Sequence, residues 1–401
     1  MKSLALLALV SLPAFSAEYI VKFNNTKSLA AFSNARVLNV TVGNFAVVKS
    51  DDKNFIANAS QMAGIEYAEI NATYEAFDVQ DADFKKQWGL DNDGKNSGGW
   101  FSRGVAGVDI SALDAWKITK GSRAVKIAVI DTGVDYTHDD LKNNIMINAA
   151  EKNGTAGVDD DNNGLIDDVY GYDFANKDAD PMDGHGHGTH CAGVIGAEHN
   201  SIGVAGVMAQ VQILPIKFLS DSGSGTLEGA ILSIDYAIKR GVDIMSNSWG
   251  GGPRMESLFE VIKKAEDAGI LFIAAAGNSN ANNDTTATYP ANYEIESLIS
   301  VGAMDGKGKR ATFSNYGAQS VDVFAPGVDT YSTVQSNGYK KMSGTSMACP
   351  HVSGIAGLML AQNPDLTPAE LRQRLIDSAV DNTDLRGSAL SGHADAAAAL
   401  Q

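Results

Sequence analysis

Only two cysteines occur in the 401 residues, Cys191 and Cys349, so the chain is not a disulfide-built scaffold. Positive charge is also scarce. Lys and Arg total 31 against 48 Asp and Glu, a formal charge of −17. Residues 17–77 hold five basic and six acidic side chains, so nearly all of the excess falls after residue 77. Such a balance argues against nucleic acid or anionic membranes as partners and favours solubility and divalent cations. No apolar run in the body of the chain is long enough to span a bilayer. What is abundant is core material: 44% of residues are hydrophobic, enough for a large core and more than one domain.

The first residues read as a secretory signal. Met1-Lys2-Ser3 is a basic tip, Leu4 to Leu12 a short apolar stretch, and Ala14-Phe15-Ser16 supplies small residues at the positions a signal peptidase reads. The expected cut follows Ser16, which implies an extracellular or periplasmic product.

Chemistry concentrates in three later segments. Gly344-Thr345-Ser346-Met347-Ala348-Cys349-Pro350-His351 places a serine between a glycine turn and the apolar run Val352 to Leu360, which reads as a buried helix. Free N–H groups and the helix dipole favour negative charge at such a start, which suits a nucleophile whose attack creates an oxyanion. Pro350 is expected in the first turn, where its missing N–H costs little. Lys126 to Ile130 reads as a buried parallel strand ending in Asp131-Thr132-Gly133, at the edge where open α/β sheets place their sites. The glycine-rich Gly184-His185-Gly186-His187-Gly188-Thr189-His190 leads into a small-residue helix. Each residue alone reads equally well as a capping aspartate, a satisfied histidine or a turn serine. Together, Asp131, His187 and Ser346 occur in an order that chymotrypsin-like and α/β-hydrolase arrangements do not share.

These segments resemble the catalytic signatures of the subtilisin-like serine proteases, the subtilases, from about residue 83 to the C-terminus. Ala274-Ala275-Ala276-Gly277-Asn278 resembles a fourth, the segment carrying the oxyanion asparagine. The resemblance implies a three-layer α/β fold with a mostly parallel central sheet over residues 78–401. It implies Ser346 as nucleophile, His187 as general base and acid, Asp131 as its orienting carboxylate and Asn278 as oxyanion donor. His185, His190 and His351 are expected to be structural. Cys191 and Cys349 follow the catalytic residues of two helices that pack together in that fold; two reduced thiols are expected, with a disulfide the open alternative.

Gly223-Ser224-Gly225 and Ser248-Trp249-Gly250 resemble the two segments between which subtilisins pair an extended peptide. Gly250 and Ala275 to Asn278 are expected to wall the primary pocket, with Thr288 near its base, while Trp249 and Leu227 line a pocket further upstream. Broad specificity with a preference for large apolar residues before the scissile bond follows.

Asp159, Asp161, Asn163, Leu165 and Asp167 fall at the first, third, fifth, seventh and ninth positions of an EF-hand-like calcium loop. Its twelfth position is Tyr170, so the segment is either a calcium loop closed by another ligand, Asp168 or Asp173, or a solvated acidic turn. A second calcium site comes from resemblance: Asp140 and Asn200 match side-chain ligands, and Ile202 and Val204 match carbonyl ligands. Its N-terminal ligand stays open among Asp81, Asp83 and Gln87.

Between signal and protease, residues 17–77 read as β-α-β-β-α-β: strands at Tyr19–Phe23, Val37–Val42, Phe45–Val48 and Ile65–Ile70, helices near Ser28–Ser33 and Phe55–Met62. This resembles the ferredoxin-like subtilase propeptide, which aids folding and caps the active site. Maturation is expected between Phe77 and Asp78, with Phe77 in the primary pocket and Tyr74 near Trp249 and Leu227. Partners are therefore protein and peptide substrates and the chain's own propeptide, with the mature enzyme a monomer. A catalytically inactive subtilase used as a binding module would need a broken triad, and an intracellular calcium-binding protein would lack the signal.

Overall fold

A computed structural model describes residues 17–38, 43–71, 79–95 and 103–401. The signal, the end of the expected strand Val37–Val42, and the Tyr74, Phe77 and Asp78 positions lie outside the described residues. The chain divides into two compact units between Phe77 and Asp78.

The first unit pairs β1 (Ala17–Phe23), β2 (Arg36–Leu38), β3 (Phe45–Ser50) and β4 (Ile65–Ile70) into an antiparallel sheet ordered β2-β3-β1-β4. The outer strands β2 and β4 flank a central pair whose alternate residues Tyr19, Val21 and Phe23 are buried with Ala46 and Val48. A 3₁₀ turn over Thr26–Ala31 and helix α1 (Phe55–Ala59) cover that face through Leu29 and Phe55. The first begins two residues before the expected Ser28–Ser33 and is 3₁₀, and α1 stops three residues short of the expected Met62. Asn25 caps the first through Lys27 N, and its short tight geometry gives way to extended backbone at Phe32.

In the second unit, β5 (Gly121–Asp131), β6 (Tyr172–Asp173), β7 (Gln210–Lys217), β8 (Ile244–Asn247), β9 (Leu271–Ala275), β10 (Leu298–Met304) and β11 (Val323–Pro326) form one sheet. Its order is β11-β10-β9-β8-β5-β7-β6, and every neighbouring pair is parallel. Among the described residues the remaining elements are a 3₁₀ turn (Phe84–Lys86), the hairpin β12 (Thr330–Val334) and β13 (Gly338–Met342), and eight α-helices. These are α2 (Ala112–Ala115), α3 (Ala149–Asn153), α4 (His187–Gly196), α5 (Leu227–Lys239), α6 (Glu256–Asp267), α7 (Thr345–Gln362), α8 (Pro368–Asp377) and α9 (Ala396–Ala399).

Strand alternation produces the layers. Ile127 and Val129 of β5 pack with Ile213, Ile244 and Ile273 beneath α4 and α7, whereas Ala128 and Ile130 pack with Leu214, Met245 and Phe272 beneath α5 and α6. Period-two side chains buried on both faces explain the continuous apolar runs of these strands. From β5 the chain passes through the edge strand β6 to β7 on one side, then to β8 on the other, so the strand order reverses at β5. A crevice opens outside the C-terminal ends of the strands at such a switch point. Asp131 is the last residue of that strand.

Candidate active site

Each chemistry-bearing side chain sits at the end of an element on the C-terminal edge of the sheet. Asp131 ends β5 and is 1% exposed. His187 is the first residue of α4, and its Nδ1 lies 2.7 Å from Asp131 Oδ1. The same oxygen accepts Thr132 N at 2.7 Å, which fixes the carboxylate plane. Gly188 permits the approach: a Cβ there would fall 2.1 Å from Gly133 O and 3.1 Å from Asp131 Cβ.

Ser346 is the second residue of α7, and Asn278 follows β9. Asn278 Oδ1 accepts Thr345 N at 2.8 Å and Thr345 Oγ1 at 3.0 Å. Because both atoms donate, the amide oxygen must face them and the NH₂ is left for the cleft. Asn315 braces the segment before it. Its Nδ2 donates to Ala276 O (3.1 Å), Asn283 Oδ1 (3.0 Å) and Thr288 Oγ1 (3.1 Å), and its Oδ1 accepts Ser279 N and Ala281 N. Gly277, at φ +112°, is required here, since a Cβ would stand 2.4 Å from Asn315 Nδ2.

His187, Ser346 and Asn278 open together onto one cleft of about 980 Å³. Gly223, Ser224, Gly225 and Leu227 line it on one side, and Ser248, Trp249, Gly250 and Thr288 on another. Trp249 stands edge-on to Phe218 with ring centroids 4.9 Å apart, at the rim of the apolar layer and not inside it. Among the described residues, the titratable side chains lining the cleft are His185, His187 and Tyr289, and no carboxylate or ammonium of those residues stands in its walls.

Burial alone would disfavour the imidazolium of His187, but the charge and hydrogen bond of Asp131, with a contribution from Asp183, outweigh it. Its pKa stands above the ordinary histidine value. The thiols behave oppositely. Both are free and buried. Burial, followed by the Asp131 charge, raises the Cys191 thiol well above its usual range, and burial pushes Cys349 up to about 11. Neither offers a thiolate at neutral pH, so cysteine is excluded as the attacking group.

Residues 122–394 match the model of the subtilase family. The chain belongs to this family. It is 41% identical over 266 residues to a thermophilic serine proteinase of Bacillus sp. (strain AK1), spanning 66% of this chain and 59% of that protein. It is 39% identical to subtilisin DY of Bacillus licheniformis, spanning 65% of this chain and 85% of that one. Among solved structures, a cold adapted subtilisin-like serine proteinase superposes with a TM-score of 0.54 at 37% identity, covering 68% of this chain and 89% of the other.

Three expectations need correction within this subtilase frame. Pro350 is not in the first turn of α7 but at its sixth position. Proline has no N–H to bond the carbonyl four residues back, which belongs to Ser346. That carbonyl is taken instead by Ser248 Oγ at 2.9 Å and Cys191 Sγ at 3.4 Å. Ser346 Oγ in turn donates to Ser248 O at 3.0 Å, so the two serines are cross-linked in both directions. Second, His185 is not a packed residue. It is exposed at the cleft, its ring 6.2 Å from that of His187.

Third, the acidic loop does not converge as its spacing implied. Asp161 lies with Glu151 and Asp168, one ligand atom of each within 4.8 Å of the others. Asp159 instead accepts Asn163 N and Gly164 N, and Asp167 accepts Gly157 N, as turn-forming side chains do. Asn163 Nδ2 bridges Asp161 and Asp168, so this residue stays at the cluster. Leu165 packs partly into the α5–α6 layer. Asp173 is tied to Ala175, Asn176 and its own turn.

The second loop is more compact. Asp140 Oδ2 accepts Val204 N at 2.9 Å, while its buried Oδ1 has no close hydrogen-bond partner among the described residues, the Tyr339 and Asn200 side chains standing near the carboxylate. Asn200 Oδ1 accepts Ile202 N, and Asp81 Oδ1 accepts Asn200 N and Ser201 N. Gln87 is committed to Ala205, and Asp83 to Lys86 and Tyr331. Asp81 is therefore the N-terminal carboxylate of this loop. Burial, with the Asp81 charge adding to it, pushes Asp140 up to about 7.

His190 and His351 are buried as expected. His190 Nε2 reaches Thr330 O and Lys340 O, and His351 Nδ1 reaches Met347 O. Burial lowers each to about 4. With the unfolded value near 6.5, the unfolded chain binds more protons between pH 6.5 and 4, so stability is full above 6.5 and lost as pH falls. The loss amounts to roughly 3 kcal/mol per histidine at ~1.4 kcal/mol per unit. The melting temperature of an inactivated chain in saturating calcium is expected to drop steadily from pH 6.5 to pH 4.5. A flat profile over that interval contradicts the neutral assignment of both rings.

Proposed function

We propose that this subtilase is a secreted, calcium-stabilised serine endopeptidase that cleaves proteins and peptides. The observation that carries the reading is the convergence of the Asp131–His187 pair, the helix-start Ser346 and the free amide of Asn278 on one peptide-wide cleft. Ser346 Oγ leaves Ser248 O and gives its proton to His187 Nε2 as it attacks the scissile carbonyl. Asp131 holds Nδ1–H and stabilises the imidazolium that forms. The backbone N–H of Ser346 and Asn278 Nδ2 receive the oxyanion. His187 then protonates the leaving amine.

The substrate strand pairs with Gly223–Gly225 and Ser248–Gly250, which read backbone and tolerate many sequences. The side chain before the scissile bond enters the pocket walled by Gly250 and Ala275–Asn278 with Thr288 at its base, and Trp249 and Leu227 receive one further upstream. Peptide anilides with Phe at the bond should be cleaved at least about tenfold faster in kcat/KM than those with Asp, about 1.4 kcal/mol of differential binding. Equal rates contradict the pocket.

Calcium is the structural cofactor in this reading. An orphaned, buried Asp140 oxygen beside Asp81 suits a hard cation that takes oxygen ligands. Asp140, Asn200 and Asp81 would hold it by side chains, and Ile202 and Val204 by carbonyls. Around the other loop, Glu151, Asp161 and Asp168 are the carboxylates that come together, and Asn163 Nδ2 donates to the last two.

Residues 17–77 act as the intramolecular inhibitor and folding aid, and the enzyme releases them by its own cut between Phe77 and Asp78. Edman sequencing of freshly processed, rapidly inhibited material should begin Asp-Val-Gln. A first cut upstream of Asn71 or beyond Trp88 overturns this assignment, and Phe77→Asp should slow processing.

A further inference from the structure

We infer that Asp183 is a second carboxylate of the active site, a positioning residue that ties the Asp131 strand end to the His187 helix start and lends its charge to His187. The inference rests on the reading of Asp131, His187 and Ser346 as catalytic.

Asp183 lies four residues before His187 and is 3% exposed. Its carboxylate is shared between the two segments that carry the pair. From the Asp131 side, Thr132 Oγ1 donates to Oδ1 at 2.9 Å. From the His187 side, His185 N and Gly186 N donate to Oδ1 at 2.8 Å, and Thr189 N and Oγ1 to Oδ2 at 2.9 and 2.7 Å. No ion pair to Asp183 occurs among the described residues. Five donors satisfy the carboxylate, and none of them carries a positive charge.

Two hydroxyls extend the strut in both directions. Thr132 Oγ1 also accepts Gly188 N at 2.9 Å, and Thr132 N holds Asp131 Oδ1. Thr189 Oγ1 accepts Asp135 N at 2.9 Å. The loop before α4 is thus laced to the residues after β5 through one buried carboxylate. Loss of this strut displaces the imidazole relative to Ser346, and small displacements at a reacting centre are expensive.

Several groups face His187 besides Asp183. Asp131 contacts its Nδ1, His185 stands 6.2 Å away across the cleft, Cys191 lies on the next turn of α4, and His190 is close enough to feel its charge. The buried ammonium of Lys217, at the end of β7, is held by Thr132 O, Leu219 O and Asp221. Of these, Asp131 and Asp183 raise the His187 pKa.

The test is Asp183→Asn, which keeps the shape and removes the charge. Its kcat for a Phe-anilide peptide should fall about tenfold or more while KM stays within about threefold. The acid limb of its kcat/KM profile should move to lower pH, because a neutral residue no longer favours the imidazolium; a residue that only supports the fold would leave that limb in place. Thr132→Val is the companion: it cuts the strut and keeps the charge, so kcat should fall with the acid limb unshifted. Asp183→Asn with kcat within twofold of wild type and an unmoved limb overturns the inference. If that variant does not fold, Thr132→Val with kcat within twofold does so. Ser346→Ala, assayed alongside, separates the two levels: if it retains activity, the catalytic reading itself fails, whereas an inactive Ser346→Ala beside an unaffected Asp183→Asn rejects only the strut.

Discussion

Ser346→Ala is expected to abolish peptide hydrolysis, lowering kcat/KM by on the order of 10⁴ or more while the protein stays folded. The fold should survive because, among the described residues, Ser346 Oγ hydrogen-bonds only to Ser248 O, and the Ser346 carbonyl keeps its bonds from Ser248 and Cys191. Activity should collapse because no neighbouring group can replace the hydroxyl: both thiols are buried and held protonated. Retention of a tenth of wild-type kcat/KM, only ~1.4 kcal/mol of transition-state loss, would falsify the assignment. Asn278→Ala should be milder, about 10²–10³ in kcat, a magnitude taken from subtilisin itself. Thr345, which pins the Asn278 oxygen, should reproduce part of that loss when changed to Val.

Removing calcium should have the second largest effect. Ions that bind only the folded chain stabilise it by about 2.7 kcal/mol per site at a hundredfold excess over Kd. Two sites therefore contribute about 5 kcal/mol, and chelation of Ser346→Ala, which cannot digest itself, should lower its melting temperature by about 10 °C. Asp140→Asn and Asp161→Asn should each remove part of that shift, by different elements: the first unseats the Val204 loop, the second the Glu151–Asp168 cluster. The Asp140 site is expected to dominate, because its buried Oδ1 has no close hydrogen-bond partner among the described residues, whereas Asp168 already has Arg240 at 2.9 Å. An unchanged melting curve in saturating chelator contradicts both sites.

The places of Asp131, His187, Ser346 and Asn278 at the sheet edge were legible because each lies where an apolar run meets glycine. Strand ends and helix starts leave such a signature, and an α/β sheet gathers those ends on one edge. Neither Asp183 nor Glu151 could be found that way. Asp183 is an acid in an irregular segment and Glu151 one on the short helix α3, and the role of each depends on groups that other segments bring to it, Thr132 for the first and Asp161 and Asp168 for the second. Asp81 was among three candidates until hydrogen bonds assigned Gln87 and Asp83 elsewhere. His185 was misjudged for a similar reason: sequence shows a histidine two residues from another, but not which of them faces the cleft. Pro350 was misplaced because counting from Gly344 gives the helix start only within a residue or two. The acidic loop shows the limit of motif spacing. Positions one and nine match a calcium loop, yet Asp159 and Asp167 spend their oxygens on turn amides, and the convergent carboxylate comes from α3.

The most direct test of the central claim is covalent. An organophosphonate serine reagent should label the folded, processed chain once, at Ser346, as read by peptide mass spectrometry. Labelling should disappear after unfolding and should be slowed in His187→Ala, because the hydroxyl is activated by its neighbour and not by its own acidity. A label on any other serine, or equal labelling of folded and unfolded chain, would contradict the Asp131–His187–Ser346 account.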